Sequence, residues 1–506
     1  MTSKPLSVVC IGAGPAGLTA AYLLSKQGIA ATVLEMDPVY VGGISRTATY
    51  KGFAFDIGGH RFFSKSAEVN ALWSELLEKD FLDRPRKSRI YYRSQLYDYP
   101  LKAFDALSKL GPIEALRCVL SYLQVRLNPI PEAKTFEQWV TNRFGRRLFQ
   151  IFFKTYTEKV WGMKCSEISA DWAAQRIKDF SLTKAIWHAI MPQKKSGSGG
   201  KVIKTLIDSF RYPRRGPGML WEETARRIGA MGGRVQLGQR VISLDWSDAD
   251  GCWTVVTRGQ DGSERSLRAD HVISSMPMRE LARALNPAPS GLMLKAAEGL
   301  RYRDFLTVAL IVKDRNVFDD NWIYIHEPGV KVGRIQNYKS WSPEMVPDAK
   351  LNCYGLEYFC FEGDGVWGAS DADLIRLATD EMVKLKLVDR DDIVDGAVVR
   401  QPKAYPVYDE GYQERVETMR RELEARYPAL HLVGRNGMHK YNNQDHAMMT
   451  AMLTVENIRL GKRAFDVWNV NQDAEYHEEG EAGAQQKLVE GAASALGSER
   501  LVPKRV

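Results

Sequence analysis

"SVVCIGAGPAGLTAAYLLSKQGIAATVLE", residues 7–35, decides the fold. "SVVCI" is a short apolar run of strand type, and "PAGLTAAYLLSKQG" follows with helical spacing. "AATVLE" is a second strand, so the stretch reads as the opening βαβ unit of a doubly wound sheet. Gly12, Gly14 and Gly17 form GxGxxG between the first strand and the helix. Gly12 permits the tight turn, Gly14 lets the backbone approach a pyrophosphate, and Gly17 lets the helix pack on the strand. The helix start at Ala16 then offers backbone N–H groups and a positive dipole end to phosphates. Glu35, eighteen residues after Gly17, ends the second strand and is placed to accept hydrogen bonds from an adenosine ribose. The stretch predicts an adenine dinucleotide site.

The chain has 506 residues and is 44% hydrophobic, enough for a large core and more than one substructure. Seventy Lys and Arg face 62 Asp and Glu, a formal charge of +8 without any long block of one sign. That balance suits an enzyme of anionic small molecules better than a nucleic-acid binder. The six cysteines and eight histidines show neither CxxC nor HExxH spacing, so no metal is expected and the thiols read as reduced. "MTSKPL" runs straight into a strand, and no run of about 18 apolar residues occurs, so no signal peptide or membrane span is expected. The expected location is the cytoplasm, and an oligomer is compatible with the sequence.

Residues 101–190 are mostly helical by period, with "FEQWVTNRFGRRLFQIFFKTYTEKVWG" (136–162) the clearest helix. "PQKKSGSGGK" (192–201) is rich in Gly, Ser and Lys, and the segment 177–205 reads as a flap. Alternating strands follow, then "FLTVALIV" and "LNCYGLEYF" with an amphipathic helix at 372–387. The strand "ALHLVGR" precedes a dense polar run, "NGMHKYNNQDH", and the buried-looking helix "AMMTAMLTVENI". The expected fold is α/β: a discontinuous Rossmann-type dinucleotide-binding domain (1–98, 206–299 and 396–465). It carries an inserted helical region (99–205) and an inserted mixed-sheet substrate region (300–395), with a polar tail from 466 to 506.

A glycine doublet, Gly42–Gly43, and Arg46 follow Glu35, and "FDIGGHRFF" brings Gly59 and His60. This layout resembles the flavin amine oxidase, protoporphyrinogen oxidase and phytoene desaturase group, which implies FAD rather than NAD. "RYPRRGPGMLWEETARRIGAMGGRVQLGQRVISL" (211–244) is similar to that group's middle segment, whose valine, here Val235, contacts the adenine. Within the group the closer resemblance is to UDP-galactopyranose mutase. It rests on "YTEKVWG" (156–162), "GGHRFF", "SRIYYRSQLYDYP" (88–100), "WIYIHEPGVKVGRIQNY" (322–338), "AYP" and "YNNQDH". The family's Tyr-Pro is followed by an aromatic and an amide in eukaryotic members; here Leu101 and Lys102 follow Tyr99-Pro100, which leaves the nucleobase and the sugar open.

The resemblance implies a redox-neutral pyranose/furanose exchange in which reduced flavin N5 attacks the anomeric carbon of a nucleotide sugar. Arg176 and Arg334 would hold the diphosphate by their guanidinium forks. Tyr99, Trp161, Tyr324, Tyr405 and Tyr441 would complete the substrate pocket, with His60 beside the flavin. Arg435, Asn443 and Gln444 would bind the flavin from the polar run. The FAD would be non-covalent, with NAD(P)H as a candidate reductant acting over the flavin. The alternative is an oxidoreductase of the amine oxidase, protoporphyrinogen oxidase or desaturase type, which removes hydride from its substrate.

Overall fold

The computed structural model describes residues 6–101, 103–168, 170 and 209–471. Arg176, the 177–205 segment and the tail beyond 471 lie outside the described residues. Strand β1 (Ser7–Ile11) pairs in parallel with β2 (Ala30–Leu34), and helix α1 (Pro15–Lys26) crosses between them. Pro15 fits the first helical position because its missing N–H would have no partner there. Three remote segments complete a parallel five-stranded sheet: β3 (Arg234–Gln236) beside β2, β4 (His271–Ser274) beside β1, and β5 (Leu430–Leu432) beside β4. Each is short; β4 buries Val272, Ile273 and Ser274, whereas the edge strand β3 (RVQ) stays half-exposed.

The helix Gln444–Leu460 packs with α1 in the same core. Asn443 caps it in a capping box with His446, and Gly461 ends it in the left-handed region at φ 62°. It is polar at its first turn yet buried there, with Gln444, Asp445 and His446 all inside.

A seven-stranded sheet forms the opposite wall. Its order is Ile393–Pro406, Tyr302–Lys313, Leu351–Cys360, Arg334–Asn337, Trp322–Ile325, Ser88–Tyr92, Gln95–Asp98. It therefore reaches past the 300–395 segment at both ends, taking strands from 88–98 and 393–406. Edge pairing is the reason: the Trp322–Ile325 strand pairs in parallel with Ser88–Tyr92, and Tyr302–Lys313 pairs with Ile393–Pro406.

The helical unit holds the third wall. The predicted long helix over 136–162 is broken into Phe136–Phe144, Arg146–Phe149, a π-turn at Gln150–Lys154 and Thr155–Trp161. Gly145 makes the break at φ 84°, where a Cβ would lie 2.8 Å from the Tyr122 backbone nitrogen. The break lets this segment pack against the helix Pro112–Leu127. Asp466 accepts from Arg420 and Arg463, so the start of the expected tail is anchored. All six cysteines are buried and free. No described helix is long and apolar enough to cross a membrane.

Candidate functional site

The three walls enclose one cavity of about 1530 Å³ that runs from the β1–α1 turn to the helical unit. At the nucleotide end the backbone does the work. Gly12 (φ 94°) turns the chain, its N–H donating to Leu34 O at 2.8 Å, and a Cβ there would meet Ser275 Oγ at 2.3 Å. A Cβ on Gly17 would sit 1.9 Å from Gly12 O. No side chain caps the N-terminus of α1, so its first amides stay available beside Gly14 and Ala16 on the cavity wall. Gly43 closes in from the other side: a Cβ on it would lie 3.3 Å from Gly14 Cα. Glu35 accepts from Ala13 N at 2.7 Å and Asp37 N at 2.9 Å, and burial raises its pKa.

Gly59, His60, Arg435, Asn443 and Gln444 also line the cavity. The Nδ1 of His60 lies 2.9 Å from Gly58 O, which can only accept, so Nδ1 carries the proton and Nε2 is an acceptor. Burial first, then the Arg435 charge, push the His60 pKa down to about 3, so the ring is neutral. Gln444 donates to Arg61 O at 3.2 Å, while its Oε1 and the Oδ1 of Asn436 are buried without a partner among the described residues. Two orphaned acceptors on a cavity wall, two glycines in near contact and an uncapped helix start fit a dinucleotide whose far end presents N–H and O–H groups.

The substrate end is made of side chains. Tyr324, Arg334 and Glu357 are direct neighbours across three strands of the large sheet. The ten-residue spacing of Tyr324 and Arg334 is thus a hairpin pairing. Arg334 Nε donates to Glu357 Oε2, and Gln336 donates to Glu357 Oε1 at 2.5 Å. Glu357 is completely buried; Arg334 is 18% exposed, with no acceptor among the described residues on its Nη atoms. Burial opposes the Arg334 charge, but the Glu357 carboxylate outweighs it, so the guanidinium stays a cation. Tyr405 and Tyr441 stack at 5.5 Å, with the Arg435 guanidinium 5.4 and 4.8 Å from their centroids. Tyr99 lies 4.7 Å from Tyr324, and Trp161 lines the cavity from the end of its helix.

Several predicted residues lie off the wall. Gly42 (φ 99°) donates to Ala13 O at 2.7 Å behind the turn. Arg46 bonds Gly43 O at 3.2 Å and Gln401 Oε1 at 2.5 Å, bridging the glycine doublet to the large sheet. The Val235 side chain packs into the core around α1, because β3 continues the sheet there. Arg176 is outside the described residues.

At and behind the cavity wall stand residues that the sequence reading passed over. Glu357 is one; a lone carboxylate inside the apolar strand "LNCYGLEYF" was its signal. Tyr156, in "YTEKVWG", stacks on His326 at 5.1 Å and 2° and meets Tyr324 edge-on at 5.3 Å. Burial, then Lys159, lower the His326 pKa to about 3, so this ring too is neutral.

Residues 15–454 match the family model of flavin containing amine oxidoreductases. The chain belongs to that family. It is 22% identical over 469 residues to coproporphyrinogen III oxidase of Bacillus subtilis, covering 86% of this chain and 94% of that one. It is 24% identical over 171 residues to a probable UDP-galactopyranose mutase of Klebsiella pneumoniae, covering 32% of this chain and 43% of that one. Its fold superposes on a reduced UDP-galactopyranose mutase with a TM-score of 0.78 at 23% identity, over 94% of this chain and 99% of that one. The flavin cofactor of the family suits the turn, the orphaned acceptors and the glycine contact described above.

Proposed function

We propose that this flavoenzyme is a mutase acting on a sugar diphosphate, the class to which the nucleotide sugars suggested by the family resemblance belong. One observation carries the reading: a cationic guanidinium, Arg334, faces the cavity beside Tyr324, fixed from behind by a buried carboxylate. Such a held fork binds diphosphate oxygens bidentately, and the nearby phenols add neutral donors. FAD would lie along the β1–α1 turn, with Gln444 and Asn436 accepting from it. When bound, it supplies a nucleophilic or hydride-accepting nitrogen. The chain's own residues hold the leaving diphosphate at Arg334, keep His60 neutral as an acceptor, and shield the C–O bond from water between aromatic walls. Arg176 is assigned the second diphosphate contact on resemblance alone.

The oxidoreductase reading predicts no need for an anion clamp. Nucleoside diphosphate and inorganic diphosphate should each perturb the flavin spectrum. Arg334→Ala should weaken both by ~2–5 kcal/mol, the range for truncating one partner of a buried charge contact. Flavin content should be normal, and Arg334→Lys should recover part of the loss. If neither diphosphate binds in an Arg334-dependent way, hydride removal replaces this reading.

A further inference from the structure

The helix Pro112–Leu127, named α2 from here on, has two apolar faces. Its inner face gives Cys118, Val119 and Tyr122 to the cavity wall. Its outer face shows Ile113, Leu116, Leu120, Leu123 and Leu127 at 50–88% exposure. Their spacing alternates three and four residues, so they form one stripe along about four turns. Single exposed leucines need no explanation, but five in a row on one helix do.

The cavity beyond Arg334 matches the inner face. Seventeen described residues between 99 and 161 line it, and none carries a side-chain amide or a charge. Their polar side-chain groups are the hydroxyls of Tyr99, Tyr122, Tyr156 and Thr157 and the Trp161 indole N–H, with Tyr99 and Tyr156 at the Arg334 end. Leu101, Leu107, Phe144, Leu148 and Phe153 are typical of them. A nucleobase has ring N–H and carbonyl groups that need polar partners once buried. An aliphatic chain needs none. The exposed stripe alone would also suit a second copy of this chain, but pairing of copies leaves the apolar annex unexplained.

We infer that the diphosphate in this cavity carries an isoprenoid-like aliphatic chain lying in the annex, and that α2 docks on a lipid surface from which such a substrate is taken. This rests on the sugar-diphosphate reading and names what lies on the far side of the diphosphate. Arg117 and Arg126 are exposed on the same helix, and the chain is cationic overall, as suits an anionic bilayer. A helix of this length lies on a membrane rather than spanning it.

The test uses the full-length FAD-loaded protein. Geranyl diphosphate should bind about a hundredfold more tightly than inorganic diphosphate, through burial of several CH₂ groups. Val119→Asn should erase most of that advantage and leave inorganic diphosphate binding as it was. Vesicles of phosphatidylcholine with phosphatidylglycerol should sediment the protein, and Leu116→Gln, Leu120→Gln and Leu123→Gln together should abolish this with flavin content unchanged. Geranyl diphosphate binding no better than inorganic diphosphate overturns the inference and leaves the diphosphate reading standing. Arg334-dependent binding of neither removes both. A wild type that ignores vesicles but is a dimer dissolved by the triple leucine variant overturns the lipid docking and assigns the stripe to a second copy.

Discussion

At the nucleotide end of the cavity, Gly12, Gly14 and Gly17 act within six consecutive residues, through backbone amides and through the side chains they lack. At the substrate end, Tyr99, Tyr156, Tyr324, Arg334, Glu357, Tyr405 and Tyr441 arrive from six separate stretches of chain and act through side-chain atoms. The first end leaves no room for a side chain at Gly12 or Gly17. The second is a set of charges and rings held by each other. Backbone torsions and close approach dictate the first end, whereas no backbone constraint fixes which side chain stands at the second.

The contrast breaks most violently at Gly17. Gly17→Val drives a branched side chain into the Gly12 carbonyl, where backbone has nowhere to move. The expected cost is about 3 kcal/mol or more, with loss of flavin. Flavin absorbance of the purified variant checks it, and a yellow protein of normal melting temperature would show that the turn has slack.

The substrate end should fail differently. Arg334→Ala leaves Glu357 buried with Gln336 as its one remaining partner among the described residues, which costs about 3–5 kcal/mol for an uncompensated interior charge. Adding Glu357→Gln should restore much of that stability but none of the diphosphate affinity. Denaturant melts beside flavin titrations separate the two effects. A double variant as unstable as the single one would mean that the pair holds the sheet together by some other route.

Acid should loosen both ends through histidines. His60, His326 and His431 have pKa values depressed to about 3, and His439 to about 4, each mainly by burial. The unfolded chain takes up protons at these sites below about pH 6.5, whereas the native state resists them until about pH 4. Stability is therefore whole above about pH 6.5 and falls as pH drops through that window. Thermal melts that stay level from pH 7 to pH 5 would contradict the buried neutral rings.

At the small end stands the surface. Arg421 pairs with Glu417 one helical turn away, with the two side chains 79% and 43% exposed. Arg421→Ala should change stability by less than about 0.5 kcal/mol and leave flavin and ligand binding untouched. A larger change, read by the same melts, would give this helix a role beyond solvent.

The nucleotide turn, the two strands around it and the start of the Gln444–Leu460 helix were legible in sequence because their determinants are local: glycine at fixed offsets, apolar period, a polar cap. The glycine doublet stood out in the sequence, but that Gly43 nearly touches Gly14 is a matter of tertiary packing. The break at Gly145 was not read, since an apolar helical period continues across it and only contact with Tyr122 demands the turn. Glu357 was missed because its partner lies on another strand, twenty-three residues away.

From residues alone came the βαβ unit, the dinucleotide turn and the family resemblance, all carried by short-range spacing. Tertiary structure alone decided that Val235 and Arg46 turn away from the cavity. It also joined strands from 88–98 and 393–406 to one sheet, and set Tyr405 on Tyr441 beneath Arg435. The reason is physical: a turn is specified by the torsions its own residues allow, whereas a charge or ring needs a partner that chain spacing does not announce and only strand register and packing supply.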